Sequence, residues 1–206
     1  MHEHSEFRMS SLQSTLRHLL CNVLSAAEDY AEAERRLSKA FSQDQTPSHW
    51  KRAADDAKRR ASDLAVAIDG LADRAKNDTG IPIDSIRQQV GALCVWPGTM
   101  IARIDALDRV RGVANAYKHQ ILSDKKLPIT SERDVFALGV GYGQDAFGVG
   151  KFGGVEVFVV DKNGKSWKFL GDAPVAIAAW FQFLKVQGVS LLSVPIFALG
   201  VKVFEP

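Results

Sequence analysis

The chain has little of what would mark several protein classes. It holds only two cysteines, Cys21 and Cys94, so it can build neither a disulfide framework nor a four-cysteine zinc site. Charge of one sign is also scarce: 26 Lys and Arg against 24 Asp and Glu leave a formal net charge of +2. That excludes a globally basic nucleic-acid binder, though not a local basic patch. No apolar run reaches the roughly 18 residues of a membrane span, so no membrane partner is expected. The opening MHEHSEFRMSS carries acids and no apolar segment; it does not read as a signal peptide, and the expected location is cytoplasmic. Neither a Gly-x-Ser-x-Gly elbow nor a His-Glu-x-x-His pair occurs, which removes two common hydrolase signatures. What remains, 46% hydrophobic and 24% charged residues over 206 positions, is an ordinary globular composition for one large or two small domains.

Glycine is sparse early and dense between Gly139 and Gly171, and this divides the chain. Residues 1–128 read as a helical bundle. Residues 129–206 read as a small antiparallel β-meander plus a helix, packed on the bundle as one unit. The expected fold class is therefore α+β, with a dominant bundle. A first helix is expected over 11–41, its stripe running through Leu12, Leu16, Leu19, Val23, Ala27, Tyr30 and Leu37 in steps of three and four. Cys21 is expected in its core. Ser48 is the expected cap of a second helix, whose heptad seam is Trp50, Ala54, Ala57, Ala61, Leu64, Ile68, Leu71 and Ala75. The short connection folds the two into an antiparallel hairpin. The cluster KRAADDAKRR at its start reads as a solvated face of acid–base pairs. Asn77, Asp78 and Gly80 end that helix. A short helix follows over 83–93, then a Trp96-Pro97-Gly98 turn. Thr99 is the expected cap of a helix over 100–122 with Ile101, Ile104, Leu107, Val110, Ala114, Tyr117 and Ile121 inward.

In the second part, 135–140, 155–161 and 166–170 are expected strands. Asn163-Gly164 signals a hairpin with a type I′ turn. Asp172 is the expected cap of a helix containing Val175, Ala179, Trp180, Phe183 and Leu184. The apolar tail, broken by Pro195 and Gly200, is expected to wrap the core or complete an edge. The stretch GVGYGQDAFGVGKFGG is not a dinucleotide fingerprint, because a strand follows where a helix is required. Gly164-Lys165-Ser166 fails as a phosphate loop for the same reason, with Val159 in the place of its first glycine. His2 and His4 lie at the chain start, and His18 and His49 are isolated; none reads as a metal ligand or a catalyst.

The segment DRVRGVANAYKHQ stands apart. Asp108, Arg111, Asn115 and His119 are spaced three, four and four, so a helix aligns them in one polar stripe with Lys118 beside it. The bland account is a hydrogen-bond network that fixes helix register, or a polar dimer seam. The functional account is a groove. There His119 is the acid or base, because its ordinary pKa of about 6.5 lies near working pH. Arg111 and Lys118 hold a phosphate, and Asn115 orients the histidine. Asp108 belongs to the substrate-binding set. No metal ligand and no cofactor is expected.

At Ala114 to His119, Ala-Asn-Ala-Tyr-Lys-His, the chain resembles HEPN-like helical proteins of bacteria and archaea. Many uncharacterised members carry Asn-x-x-Lys-His late in a bundle. The resemblance covers about the first 125 residues. It implies an interaction or regulatory role in a toxin or defence-type system, or metal-independent RNase activity from a dimer with a composite site. The family's catalytic pattern maps onto Asn115 and His119; where it has arginine this chain has Ala114, and Arg111 lies one turn earlier. Three expectations follow. The first is a non-catalytic HEPN-like protein with an RNA or protein partner. The second is an RNase using Arg111, Asn115, Lys118 and His119. The third is a small-ligand binder whose site lies between bundle and meander, lined by Tyr142, Phe147, Phe152 or Trp167.

Overall fold

The computed structural model describes residues 12–118, 127–129, 131–139 and 155–206. The expectations for His2, His4, Ile121, Tyr142, Phe147, Phe152 and the glycine-rich segment fall outside them. The fold is α+β, a helical bundle with a small antiparallel sheet and a C-terminal helix.

The first long helix is built in three pieces, α1 (Gln13–His18), a π-helical stretch (Leu19–Val23) and α2 (Leu24–Gln43). α3 (Pro47–Thr79) folds back along it. The seam read from the sequence is the contact: Ala57, Ala61, Leu64, Ile68, Leu71 and Ala75 are all shut off from solvent. Alanines at these positions let the two backbones approach closely. Trp50 meets Phe41 edge-on at the end where the two helices are joined, with ring centroids 6.0 Å apart. The charged cluster is the expected solvated face, with Asp56 accepting from Arg36 at 2.7 Å and Arg59 at 2.8 Å. Those two hydrogen bonds hold its carboxyl below the usual range.

Some local expectations are corrected. Pro47 rather than a residue after Ser48 opens α3, with Thr46 as the preceding extended residue; a proline's missing N–H is no loss in a first turn. Gly80 does end it, in the left-handed conformation at φ 72°. Cys21 is exposed. It lies two residues from both Leu19 and Val23, about 200° around the helix from each.

The largest correction concerns residues 100–105, where a helix was expected. α4 (Ile83–Ala92) is followed by a loop that turns at Pro97 and Gly98, as read from the sequence, and then runs on extended rather than helical. Val95 bridges Ala102, Trp96 N donates to Ile101 O at 2.9 Å and Arg103 N to Cys94 O at 2.9 Å. Thr99 Oγ1 donates to Trp96 O and accepts from Ile101 N, so it closes the turn and caps no helix. Asp105, at φ 61°, ends the loop, and α5 (Ala106–Lys118) starts there. Ile101 and Ile104 are therefore 65% and 73% exposed rather than in the core.

The meander is β1 (Val135–Gly139), β2 (Val155–Val160) and β3 (Ser166–Lys168), all antiparallel in the order β1-β2-β3. In the β2–β3 turn only Gly164 has positive φ. Gly164 N donates to Asp161 O, and Asp161 N to Lys165 O. This is a three-residue loop with a left-handed glycine rather than the expected type I′ turn. The primed geometry occurs instead between β4 (Ile196–Ala198) and β5 (Val201–Phe204), where Leu199 and Gly200 both have positive φ. The tail thus forms its own hairpin against α6 (Phe169–Val186), with Phe204 and Phe181 rings 5.2 Å apart. α6 has the length and composition of a membrane span, but 78% of it is buried inside the protein, as in a core helix. It begins three residues before Asp172, so Asp172 is not its cap.

α5 crosses close to the segment holding Ile129. A methyl at Gly112 would lie 2.4 Å from Ile129 Cγ1 and 2.6 Å from its Cβ. Gly112→Ala is expected to lower the stability by about 1–3 kcal/mol through overpacking, read as a reduced urea midpoint with an unchanged slope. An unaltered midpoint would refute this close approach.

Candidate functional site

The polar stripe on α5 is built around a carboxylate that the stripe itself does not contain. Asp69, on α3, is only 6% exposed. Its Oδ1 accepts from Arg87 Nη2 of α4 at 3.1 Å and lies 3.8 Å from Arg111 Nε. Its Oδ2 accepts from Lys118 Nζ at 3.1 Å. Arg111 also donates from Nη1 to Asp108 Oδ1 at 2.8 Å, one turn back on α5. Three helices therefore converge on one buried acid. A buried carboxylate is tolerated when cations and hydrogen bonds compensate it.

α3 presents Asp69 this way through a second inward stripe beside its main seam. Ser62, Ala65, Asp69 and Ala72 follow in steps of three, four and three, and all are buried. This stripe was missed in the sequence, although a lone acid among small residues at helical spacing is a legible sign. Arg87 was missed too; it is an unremarkable polar residue on a short helix until Asp69 is placed beside it.

The structure brings Asp108, Arg111 and Lys118 together with Asp69, but it does not leave the cations free. Arg111 is engaged by two carboxylates and Lys118 by one. Asn115 is half-buried on the same helix. His119 lies outside the described residues. Ala114 is entirely buried, so an arginine at that position would place its guanidinium in the core rather than in a groove. Tyr117, beside the stripe, is partly buried, and that burial pushes its phenol up to about 12, with Glu132 and Asp55 adding to the rise.

A second ionic group fixes the other end of α5. Asp172 has no exposed surface. It accepts from Arg109 Nε and Nη2, both at 2.8 Å, and from Arg103 Nε at 2.6 Å. Arg109 lies 3.8 Å over the Trp167 ring, and Lys165 lies 3.9 Å from the same ring. Trp167 Nε1 donates to Asp161 at 3.0 Å. Trp167, half-buried, is thus held between cations. The sequence reading missed this group because Asp172 looked like a helix cap.

Between α4, the 94–105 loop and α5 lies an open cleft of about 530 Å³, within the range of small-ligand and peptide sites. Arg87 and Arg111 form one wall, Asp84 and Asp108 stand at it, and Cys94 and Ile104 supply apolar surface. The Nε atoms of Arg87 and Arg111 are buried without a hydrogen-bond partner. Among the described residues no group of three His, Cys, Asp or Glu could hold a metal ion. Met100 and Ile101 stand exposed on the same loop as Ile104.

The two thiols differ in kind. Burial pushes the Cys94 thiol up to about 11, whereas Cys21 is exposed. A thiolate-selective reagent at pH 8 is expected to label one cysteine in the native protein and both in urea; two labelled in the native state would contradict the buried Cys94. Comparison with known proteins returns no matching family model, curated protein or solved structure, so the function is argued from these residues.

Proposed function

We propose that this chain is a HEPN-like interaction or regulatory protein of a toxin or defence-type system, whose partner meets the α4–α5 cleft and its apolar loop. The observation that carries this reading is the commitment of Arg111 and Lys118 to Asp69 and Asp108. A cation that stabilises a cleaved phosphate must be free to gain charge contact in the transition state. These two are already paired with carboxylates and tie α5 to α3, and Arg87 brings α4 to the same Asp69. The buried Ala114 agrees with this, since it removes the arginine of the related nucleases. Exposed Met100, Ile101 and Ile104 beside a cleft with paired charges suit a protein partner better than an RNA backbone, which favours unpaired cations.

A second reading, metal-independent RNase activity, is favoured by two observations. Asn115 has no hydrogen-bond partner among the described residues, and Lys118 keeps 36% of its side chain exposed. The test is cleavage of labelled tRNA and of an unstructured RNA in EDTA, with wild type and His119→Ala confirmed folded by circular dichroism. The interaction reading predicts that neither protein cuts. Cleavage by wild type that His119→Ala abolishes would overturn it.

A further inference from the structure

A separate cavity of about 240 Å³ lies where α1 meets α3, lined by Ser14, Arg17, His18, Asn22 and Arg74. Its arginines differ from most others in the chain. Arg17 and Arg74 come from two different helices and have no ion-pair partner among the described residues. Asp78, one turn beyond Arg74 on α3, would be the obvious partner at helical spacing. Its Oδ2 instead accepts from Thr15 N at 2.9 Å and Thr15 Oγ1 at 2.8 Å.

The rest of the wall is donor-rich. Ser14 supplies a hydroxyl and Asn22 an amide. Asn22 belongs to the π-helical stretch, a departure from α-helix that recurs at functional sites. His18 anchors the wall. Its Nε2 lies 2.9 Å from Ala67 O, and a carbonyl only accepts, so Nε2 carries the proton. Burial keeps its pKa below the usual value against the Ala67 bond, and the charge of Arg74 lowers it further. The ring is therefore neutral at pH 7 and leaves the cavity's positive charge to the two arginines.

From this convergence we infer that the cavity binds a phosphate group, either free or as a small phosphomonoester. Two guanidiniums match the oxygens of a tetrahedral oxyanion in fork geometry, and the hydroxyl and amide complete its donors. The volume lies just below that of drug-sized sites, so it takes the phosphate and a few further atoms. Ala67, Gly70 and Arg74 lie on a face of α3 turned away from Asp69, so this site and the α4–α5 cleft succeed or fail independently.

The test is an NMR titration of the full chain, following the His18 ring and the Asn22 side-chain amide at constant ionic strength. Inorganic phosphate is one arm and glycerol 3-phosphate the other. Saturable shifts in either arm are expected, with a dissociation constant of about 1 mM or tighter. Equal affinities mean that the phosphate alone is held, and a tighter ester means that its carbon part is held too. The double variant Arg17→Gln/Arg74→Gln changes only exposed side chains and is expected to bind at least tenfold more weakly with an unchanged circular dichroism spectrum. Absence of saturable shifts in both arms, or undiminished binding by the double variant, would overturn the assignment.

Discussion

Asp69 is the residue on which the arrangement of the bundle turns. A carboxylate left alone at its depth would be costly by several kcal/mol. It is tolerated because α4 delivers Arg87, and α5 delivers Arg111 and Lys118, to its two oxygens. The requirement runs both ways. Arg111 is itself largely buried, and without Asp69 it would keep only Asp108. The angular position of α5 on α3 is set by this pairing as much as by Val110, Val113 and Ala114, whose burial alone would tolerate a slide along the helix. A polar group that fixes register among apolar contacts is a familiar use of buried charge.

The same device recurs across the fold. Asp172 ties α6 to α5 and to the 94–105 loop through Arg109 and Arg103. Glu34 of α2 accepts from Tyr30 at 2.7 Å and from the β2 backbone at Val157 at 3.2 Å, which joins the bundle to the sheet. Tyr30 also meets Phe169 edge-on. The apolar core supplies the bulk of the driving force, and three buried acids fix how its layers face one another.

This division explains what could be read in advance. Regular features were legible. The alanine seam of α3, the glycine stop at Gly80 and the strand around Val157 each announce themselves in local spacing or turn chemistry. The turn at Trp96-Pro97-Gly98 was legible, but the extended run over 100–105 was not, because Ile101 and Ile104 match a helical period and Thr99 matches a cap. The chain stays extended there through the Val95–Ala102 bridge and the Thr99 turn, and Asp172 holds Arg103 from 69 residues away. Asp172 misled for the same reason, since its carboxylate serves tertiary pairing rather than its own helix end. The polar stripe was legible as an oddity of Asp108, Arg111, Asn115 and His119 with Lys118 beside it, though His119 lies outside the described residues. Its partner Asp69 left one local sign, its place among small residues at helical spacing, but its three cations come from two other helices and no local spacing shows them.

The stripe on α5 is held by Asp69 and is not an idle basic groove. A double-mutant cycle on Asp69→Asn and Arg111→Gln, with stability measured by urea unfolding, tests it most directly. A coupling energy on the order of 1 kcal/mol or more is expected, with Asp69→Asn alone strongly destabilising. Additive effects within about 0.3 kcal/mol would contradict it and leave Arg111 paired with Asp108 alone.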